Sequence, residues 1–220
     1  MSFNIAIDGP AGAGKSTIAR AAAGKMNLIY VDTGAMYRAM ALFMVREGIN
    51  LQDTEAVIRK CQEADITIRY EDGLQVVLLN GENVNAYLRT EEVGHAASFV
   101  SVIPEVREKL VDLQKRLAAE SDCVMDGRDI GTCVLPNADR KIYLTASSAV
   151  RAKRRYDELT AKGEDCELEK IQADIEARDY RDMHREASPL RQAEDAVLVD
   201  TSDMTVEEVI NKVLFICKRD

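Results

Sequence analysis

The sequence has little with which to hold a metal, cross a membrane or meet a nucleic-acid duplex. It contains two histidines, His95 and His184, and neither lies at metal-ligand spacing from another candidate. None of its five cysteines (Cys61, Cys123, Cys133, Cys166, Cys217) forms a Cys-x-x-Cys pair. Their odd number and wide spacing point to reduced thiols in a cytoplasmic protein rather than to a disulfide framework. No apolar run is long. The longest, Ala39–Val45, is flanked by Arg38 and Arg46 and is too short to span a bilayer. Phe3–Ile7 stops at Asp8-Gly9-Pro10, too soon for a signal-peptide core, so no leader is expected. Positive charge is in the minority: the formal net charge is -9 and the pI about 4.9. A duplex or an anionic membrane surface is repelled by that average field, so neither is expected as a partner.

What remains is ordinary globular material, 220 residues that are 46% hydrophobic and 30% charged, enough for one sizeable core. No repeat, low-complexity tract or linker divides it. Five short apolar segments read as strands: Phe3–Ile7, Leu28–Val31, Cys123–Met125, Lys141–Leu144 and Ala196–Val199. Such nearly continuous apolar runs suit the centre of a parallel sheet covered on both faces. Helical patterns separate them. Val106, Leu110, Leu113 and Leu117 recur at helical spacing behind Pro104. Thr205 and Glu208 form a capping box for a last helix with core face Val206, Val209, Ile210, Val213 and Leu214. Alternating strands and helices imply an α/β fold, a doubly wound parallel five-stranded sheet.

Two stretches break that rhythm. Between 64 and 88, alternation at Ile66, Ile68 and Tyr70 precedes Asp72-Gly73, and Val76–Leu79 precedes Asn80-Gly81. Both dipeptides are strong hairpin signals, so a small antiparallel β insertion is expected. The stretch 147–187 reads as a charged helical pair broken at Gly163, with Asp165 capping its second helix.

Gly9-Pro10-Ala11-Gly12-Ala13-Gly14-Lys15-Ser16, followed by Thr17, matches the Walker A pattern GxxxxGK[ST]. It follows an apolar strand and opens a helix carrying Ile18, Ala22 and Met26. Glycines let such a loop wrap a phosphate with its N–H groups turned inward at a helix N-terminus. Lys15 then places a charge on the β/γ-phosphates, and Ser16 offers a hydroxyl to Mg²⁺. Residues 9–17 are thus the expected ATP site. Val124-Met125-Asp126 puts a carboxylate at a strand end, where it serves Mg²⁺ or substrate, or merely caps a turn.

A P-loop alone does not name a reaction. A guanine-reading switch needs NKxD, and here Asn211-Lys212 is followed by Val213-Leu214. Basic residues are instead concentrated in two clusters. One is Arg151, Lys153, Arg154 and Arg155; the other is Arg178, Arg181 and Arg185, spaced for one helical face together with Asp182. Solvated helix faces would explain each alone, but beside a P-loop in a protein of charge -9 they suit phosphoryl transfer between two anions.

Three longer motifs carry a specific likeness: Tyr30-Val-Asp-Thr-Gly-Ala-Met-Tyr-Arg38, Met125-Asp-Gly-Arg-Asp-Ile-Gly-Thr132 and the stretch Arg178–Arg185. Together with the β insertion, from about residue 4 to 215, the chain resembles the bacterial cytidylate kinases, P-loop kinases of nucleoside monophosphates. The resemblance implies a monomer using ATP, Mg²⁺ and CMP or dCMP. It implies a core (1–33, 106–147, 171–220), an acceptor-binding insertion (34–105) and a short helical lid (148–170). It also implies that Thr33, Arg38, Arg128 and Arg185 approach the CMP phosphate. Ser98, Arg107 and Asp129 would read cytosine, Arg178 and Asp182 would hold the ribose, and Asp126 would lie at the same site. Lys15, Arg128, Arg154, Arg155 and Arg181 would serve catalysis, though which of residues 151–155 reach phosphates is open. Thr33 departs from the family's frequent serine, keeping the hydroxyl and adding a methyl. Another small P-loop kinase (UMP, dTMP or shikimate) or a non-catalytic nucleotide switch are the rival readings.

Overall fold

The computed structural model describes residues 2–219. In chain order the elements begin β1 (Asn4–Asp8), α1 (Lys15–Met26), β2 (Ile29–Asp32), α2 (Thr33–Arg46), α3 (Thr54–Cys61), β3 (Ile66–Glu71), β4 (Leu74–Leu79) and β5 (Glu82–Asn83). There follow α4 (Glu91–Val100), α5 (Pro104–Glu120), β6 (Cys123–Gly127), a π-helical turn over Ile130–Val134, and β7 (Arg140–Thr145). The chain ends with α6 (Ser148–Ala161), α7 (Leu168–His184), β8 (Val197–Asp200) and α8 (Val206–Ile216). A five-stranded sheet has the order β2-β6-β1-β7-β8, and a three-stranded sheet the order β3-β4-β5. The chain divides into two compact units, one of residues 3–28 and 123–219, the other of residue 2 and 29–122.

The first unit carries the Walker loop. Its strands pair in parallel, β1 against β6 from Asn4↔Cys123 to Asp8↔Gly127 and β7 against β8 from Ile142↔Val197. Ile5, Ile7, Val124, Met125, Ile142 and Leu144 are buried, as strands covered on both faces require. β8 departs from that expectation. It is an edge strand, and Val197 and Leu198 are 44% and 52% exposed because, among the described residues, one flank has no neighbouring strand. The capping box of α8 is present, with Thr205 and Glu208 exchanging both bonds. Val206, however, is exposed rather than on the core face, since it opens the helix and only Val209 and Val213 turn fully inward. Gly163 ends α6 at a positive φ of 78°. Asp165 does not cap α7: the helix starts later, behind an extended Glu167 that gives no side-chain cap.

In the second unit α2 packs on α3, α4 and α5 and buries Met36, Met40 and Met44. The hairpin forms as its turn residues demand. Asp72, Gly73, Asn80 and Gly81 all have positive φ, the conformation that lets a two-residue turn follow the strand twist. Register runs from Ile66↔Leu79 to Glu71↔Leu74. Among the described residues, no helix is long and apolar enough to cross a membrane.

Candidate active site

The loop between β1 and α1 has little freedom. Gly9 has φ +148°, and a Cβ there would lie 1.9 Å from the carbonyl oxygen of Leu144, so only glycine fits. Gly14 caps α1 in the left-handed region, leaving the first N–H groups of the helix to a ligand. Lys15 is buried, and its Nζ donates to the Pro10 carbonyl at 2.7 Å. Burial, and then the charge of Arg128, push the Lys15 ammonium down to about 7 despite Asp126, Asp8 and Asp182 nearby. An anion placed beside this amine would favour its charged form.

Asp126 ends buried at the close of β6 and accepts a hydrogen bond from Ser16 Oγ at 3.0 Å. A hydroxyl and a carboxylate side by side are hard oxygen donors that fit Mg²⁺, which takes one or two protein oxygens and completes its shell with phosphate and water. Among the described residues no cluster of three acidic, His or Cys side chains could hold a metal alone.

Beyond Asp126, two salt bridges join the segment after β6 to the end of α7. Arg128 Nε donates to Asp182 at 2.9 Å, and Arg185 Nη2 to Asp129 at 3.2 Å. Burial pushes Asp182 up, but the charges of Arg128, Arg178 and Arg185 outweigh it and leave the carboxyl below its ordinary value. Arg178 is half-buried on α7. The expected single arginine face is interrupted: Arg185 has left the helix, with ψ 142°, and turns inward to Asp129, whereas Arg181 stays exposed.

The basic cluster of α6 divides as well. Arg154 donates to the hydroxyl and carbonyl oxygens of Thr201, and exposed Arg155 pairs with Glu158. Arg151, given no separate task by sequence reading, is buried. It donates to Ala11 O in the loop at 2.8 Å, to Ala146 O at 2.9 Å, and to both oxygens of Asp179. Asp8 was also missed. The signal available for both was only their place, one beside a glycine loop and one in a basic run.

The remaining expected residues belong to the other unit. Thr33 is buried as the first residue of α2, and Arg38 lies one turn on. Asp32 caps that helix through Ala35 N at 3.0 Å and pairs with Arg89 at 3.1 Å. Arg107 is buried on α5, donating to Ser101 O at 3.2 Å with its guanidinium 5.6 Å from the Tyr37 ring centre. Ser98 is half-buried on α4 and donates to Gly94 O.

Known proteins resemble this chain over nearly its whole length. The sequence profile of the family described as Cytidylate kinase matches residues 5–219. A cytidylate kinase of Caldicellulosiruptor bescii is 50% identical over 212 residues, covering 96% of this chain and 94% of that protein. One from Desulforamulus reducens is 51% identical over 210 residues, with 96% and 94% covered. Among solved structures, a gluconokinase from Sinorhizobium meliloti superposes with a TM-score of 0.50 at 14% identity, covering 98% of this chain and 91% of that one, a likeness of fold alone. With a matching profile from residue 5 to 219 and half its residues shared with these relatives, the chain belongs to the cytidylate kinase family.

Proposed function

We propose that this chain transfers the γ-phosphate of ATP to CMP or dCMP, giving ADP and CDP or dCDP. The carrying observation is membership of the cytidylate kinase family across residues 5–219, in a chain whose Walker lysine is buried at its loop. An oxygen of the acceptor phosphate attacks the γ-phosphorus, and the bond from that phosphorus to the β,γ-bridging oxygen breaks. The acceptor's second pKa is near 6, so at pH 7 it is mostly the dianion and needs no general base. The protein's work is to align two anions and spread charge away from the transferring group.

In the loop-bearing unit, residues 9–17 hold the triphosphate and Lys15 neutralises its β/γ oxygens. Ser16 and Asp126 are the side chains that would hold Mg²⁺, which when bound offsets phosphate charge. Arg128 and Arg185 serve the acceptor phosphate, Asp129 the cytosine amine, and Arg178 with Asp182 the ribose. Arg154, Arg155 and Arg181 are available to the transferring group. In the other unit, Thr33 and Arg38 serve the acceptor phosphate, and Ser98 and Arg107 the base. Segment 148–170 acts as a lid; unchanged hydrogen exchange there on adding a bisubstrate analogue would remove that assignment. The protein is proposed to work as a cytoplasmic monomer.

A coupled ADP-release assay across the common nucleoside monophosphates, with shikimate added to the panel, tests the activity. CMP and dCMP should be the fastest acceptors, with ATP consumption slow in their absence. Faster turnover of UMP, dTMP or shikimate would overturn the substrate assignment.

A further inference from the structure

The outer side of strand β2 is finished by side chains. An edge strand presents the N–H and C=O groups of alternate residues, here Tyr30 and Asp32. Tyr70 Oη donates to Tyr30 O at 3.2 Å. Gln75 Oε1 accepts from Asp32 N at 2.8 Å, and Gln75 Nε2 donates to Asp32 O at 3.2 Å. Tyr70 and Gln75 stand directly opposite each other in the β3–β4 register, so one rung of the small sheet supplies all three bonds. A side-chain amide offers an acceptor and a donor together, and Gln75 uses one on each side of the Asp32 main chain.

Asp32 is the last residue of β2 and the cap of α2. Its carboxylate is engaged by Ala35 N and Arg89, and its main chain by Gln75, so neither half can turn without losing a bond. The first turn of α2 follows at once, with Thr33 at its start and Arg38 above it. That turn is tight. A Cβ on Gly34 would sit 3.2 Å from both Arg38 Nη1 and Asp32 Oδ1, so the two side chains border the same small space beside the Gly34 backbone.

We propose that Gln75 is a positioning residue for the acceptor nucleotide: by fixing the main chain of Asp32 it sets the direction in which Thr33 and Arg38 are presented to the acceptor phosphate. The inference rests on the reading of the chain as a CMP kinase. Gln75 touches no reacting group. Its effect belongs to acceptor affinity, not to the donor site or to chemistry at saturation.

Two variants of the same rung separate positioning from scaffolding. Gln75→Met keeps length and shape but removes both bonds to Asp32; Tyr70→Phe removes the Oη bond to Tyr30 and leaves the two Gln75 bonds in place. With folding checked by thermal melts, Gln75→Met should raise KM for CMP about five- to tenfold, the scale of one or two neutral hydrogen bonds. Its KM for ATP and its kcat at saturating CMP should stay within about twofold, and Tyr70→Phe should stay within about twofold throughout. An unchanged KM for CMP in Gln75→Met, an equal rise for ATP, or a matching rise in Tyr70→Phe overturns the inference. A wild-type protein that does not phosphorylate CMP overturns the kinase reading and this inference with it; CMP turnover by wild type isolates the test to Gln75.

Discussion

Asp8 accepts the backbone N–H of Gly131 at 2.7 Å on one carboxylate oxygen, while its other oxygen accepts that of Ile130 at 2.8 Å. The residue that closes β1 therefore fixes the start of the π-helical turn that follows Arg128 and Asp129. Gly131 has no spare room, since a Cβ there would lie 3.1 Å from Lys141 Cδ and 3.4 Å from Asp8 Oδ2. π-Helical turns recur at functional sites, and this one is held by a buried acid rather than by a regular helix.

That acid should make stability depend on pH in an unusual direction. Burial pushes Asp8 up to about 6, against the Gly131 and Ile130 bonds and Lys15, which pull it down; Asp129 adds to the rise. A raised carboxyl lets the folded state keep a proton that the unfolded chain has released. Its stabilising contribution is thus complete below the ordinary carboxyl pKa and is lost as pH rises through about 6. Compared with Asp8→Asn, which does not titrate, the wild type should lose about 2 kcal/mol between pH 4.5 and 7. Urea melts of both proteins across that range check the sign. A constant difference would show that Asp8 titrates as an ordinary surface acid.

Lys15 predicts proton uptake on nucleotide binding. With its ammonium pushed down to about 7, much of the free protein lacks that charge at pH 7.5, and a bound triphosphate should restore it. Calorimetric titration with ATP in two buffers of different ionisation heat should report roughly 0.7 proton taken up at pH 7.5. Lys15→Ala should abolish the uptake and lower kcat on the order of 10²-fold or more while leaving the fold intact. Equal heats in both buffers would mean that Lys15 is already charged.

The Arg151–Asp179 pair predicts a large coupling energy. The side chains are 5% and 13% exposed, and the guanidinium reaches both carboxylate oxygens and the Ala11 carbonyl of the Walker loop. Arg151→Met leaves Asp179 buried without its partner and should cost about 3–5 kcal/mol. The Arg151→Met/Asp179→Asn double variant should recover part of that loss, with a coupling above about 1 kcal/mol in urea melts. Additive losses would mean that the two residues act separately. Arg151→Lys should not restore the pair, because an ammonium cannot make the fork.

What the sequence discloses here depends on how far apart the partners lie. The Walker loop, the Asp72-Gly73 and Asn80-Gly81 turns and the Thr205–Glu208 capping box are each written within a few residues, and each forms as read. Arg151 is different. Its task depends on Ala11 and Asp179, which are 140 and 28 residues away, so in sequence it was one of several basic residues in a run. Asp8 reaches backbone groups more than 120 residues on, and N–H donors on a main chain leave no mark in residue type. Arg185 fits a helical face by spacing alone, yet its inward turn toward Asp129 takes it off the helix. Asp165 was a sound cap by type, but the chain stays extended through Glu167 before α7 begins.

Arg185 also decides how base selection should be tested. It donates to Asp129 at 3.2 Å, and the two side chains are only 5% and 7% exposed. Truncating Asp129 to alanine would leave a buried guanidinium without its carboxylate and confuse lost recognition with lost structure. Asp129→Asn keeps the shape and one oxygen. Under the proposed function, the Asp129 carboxylate accepts from the cytosine amine, whereas UMP would set a carbonyl oxygen against it, two acceptors with no proton between them. The asparagine amide can donate to that carbonyl, so Asp129→Asn should lower kcat/KM for CMP and dCMP while sparing UMP. The CMP/UMP ratio should narrow by about 10- to 100-fold. Arg107→Ala should lower both pyrimidines alike, because the O2 acceptor is common to them. The measurement is kcat/KM for CMP, dCMP and UMP in wild type and both variants. An equal loss for CMP and UMP in Asp129→Asn would make Asp129 the anchor of Arg185 and leave the reading of the base to other groups.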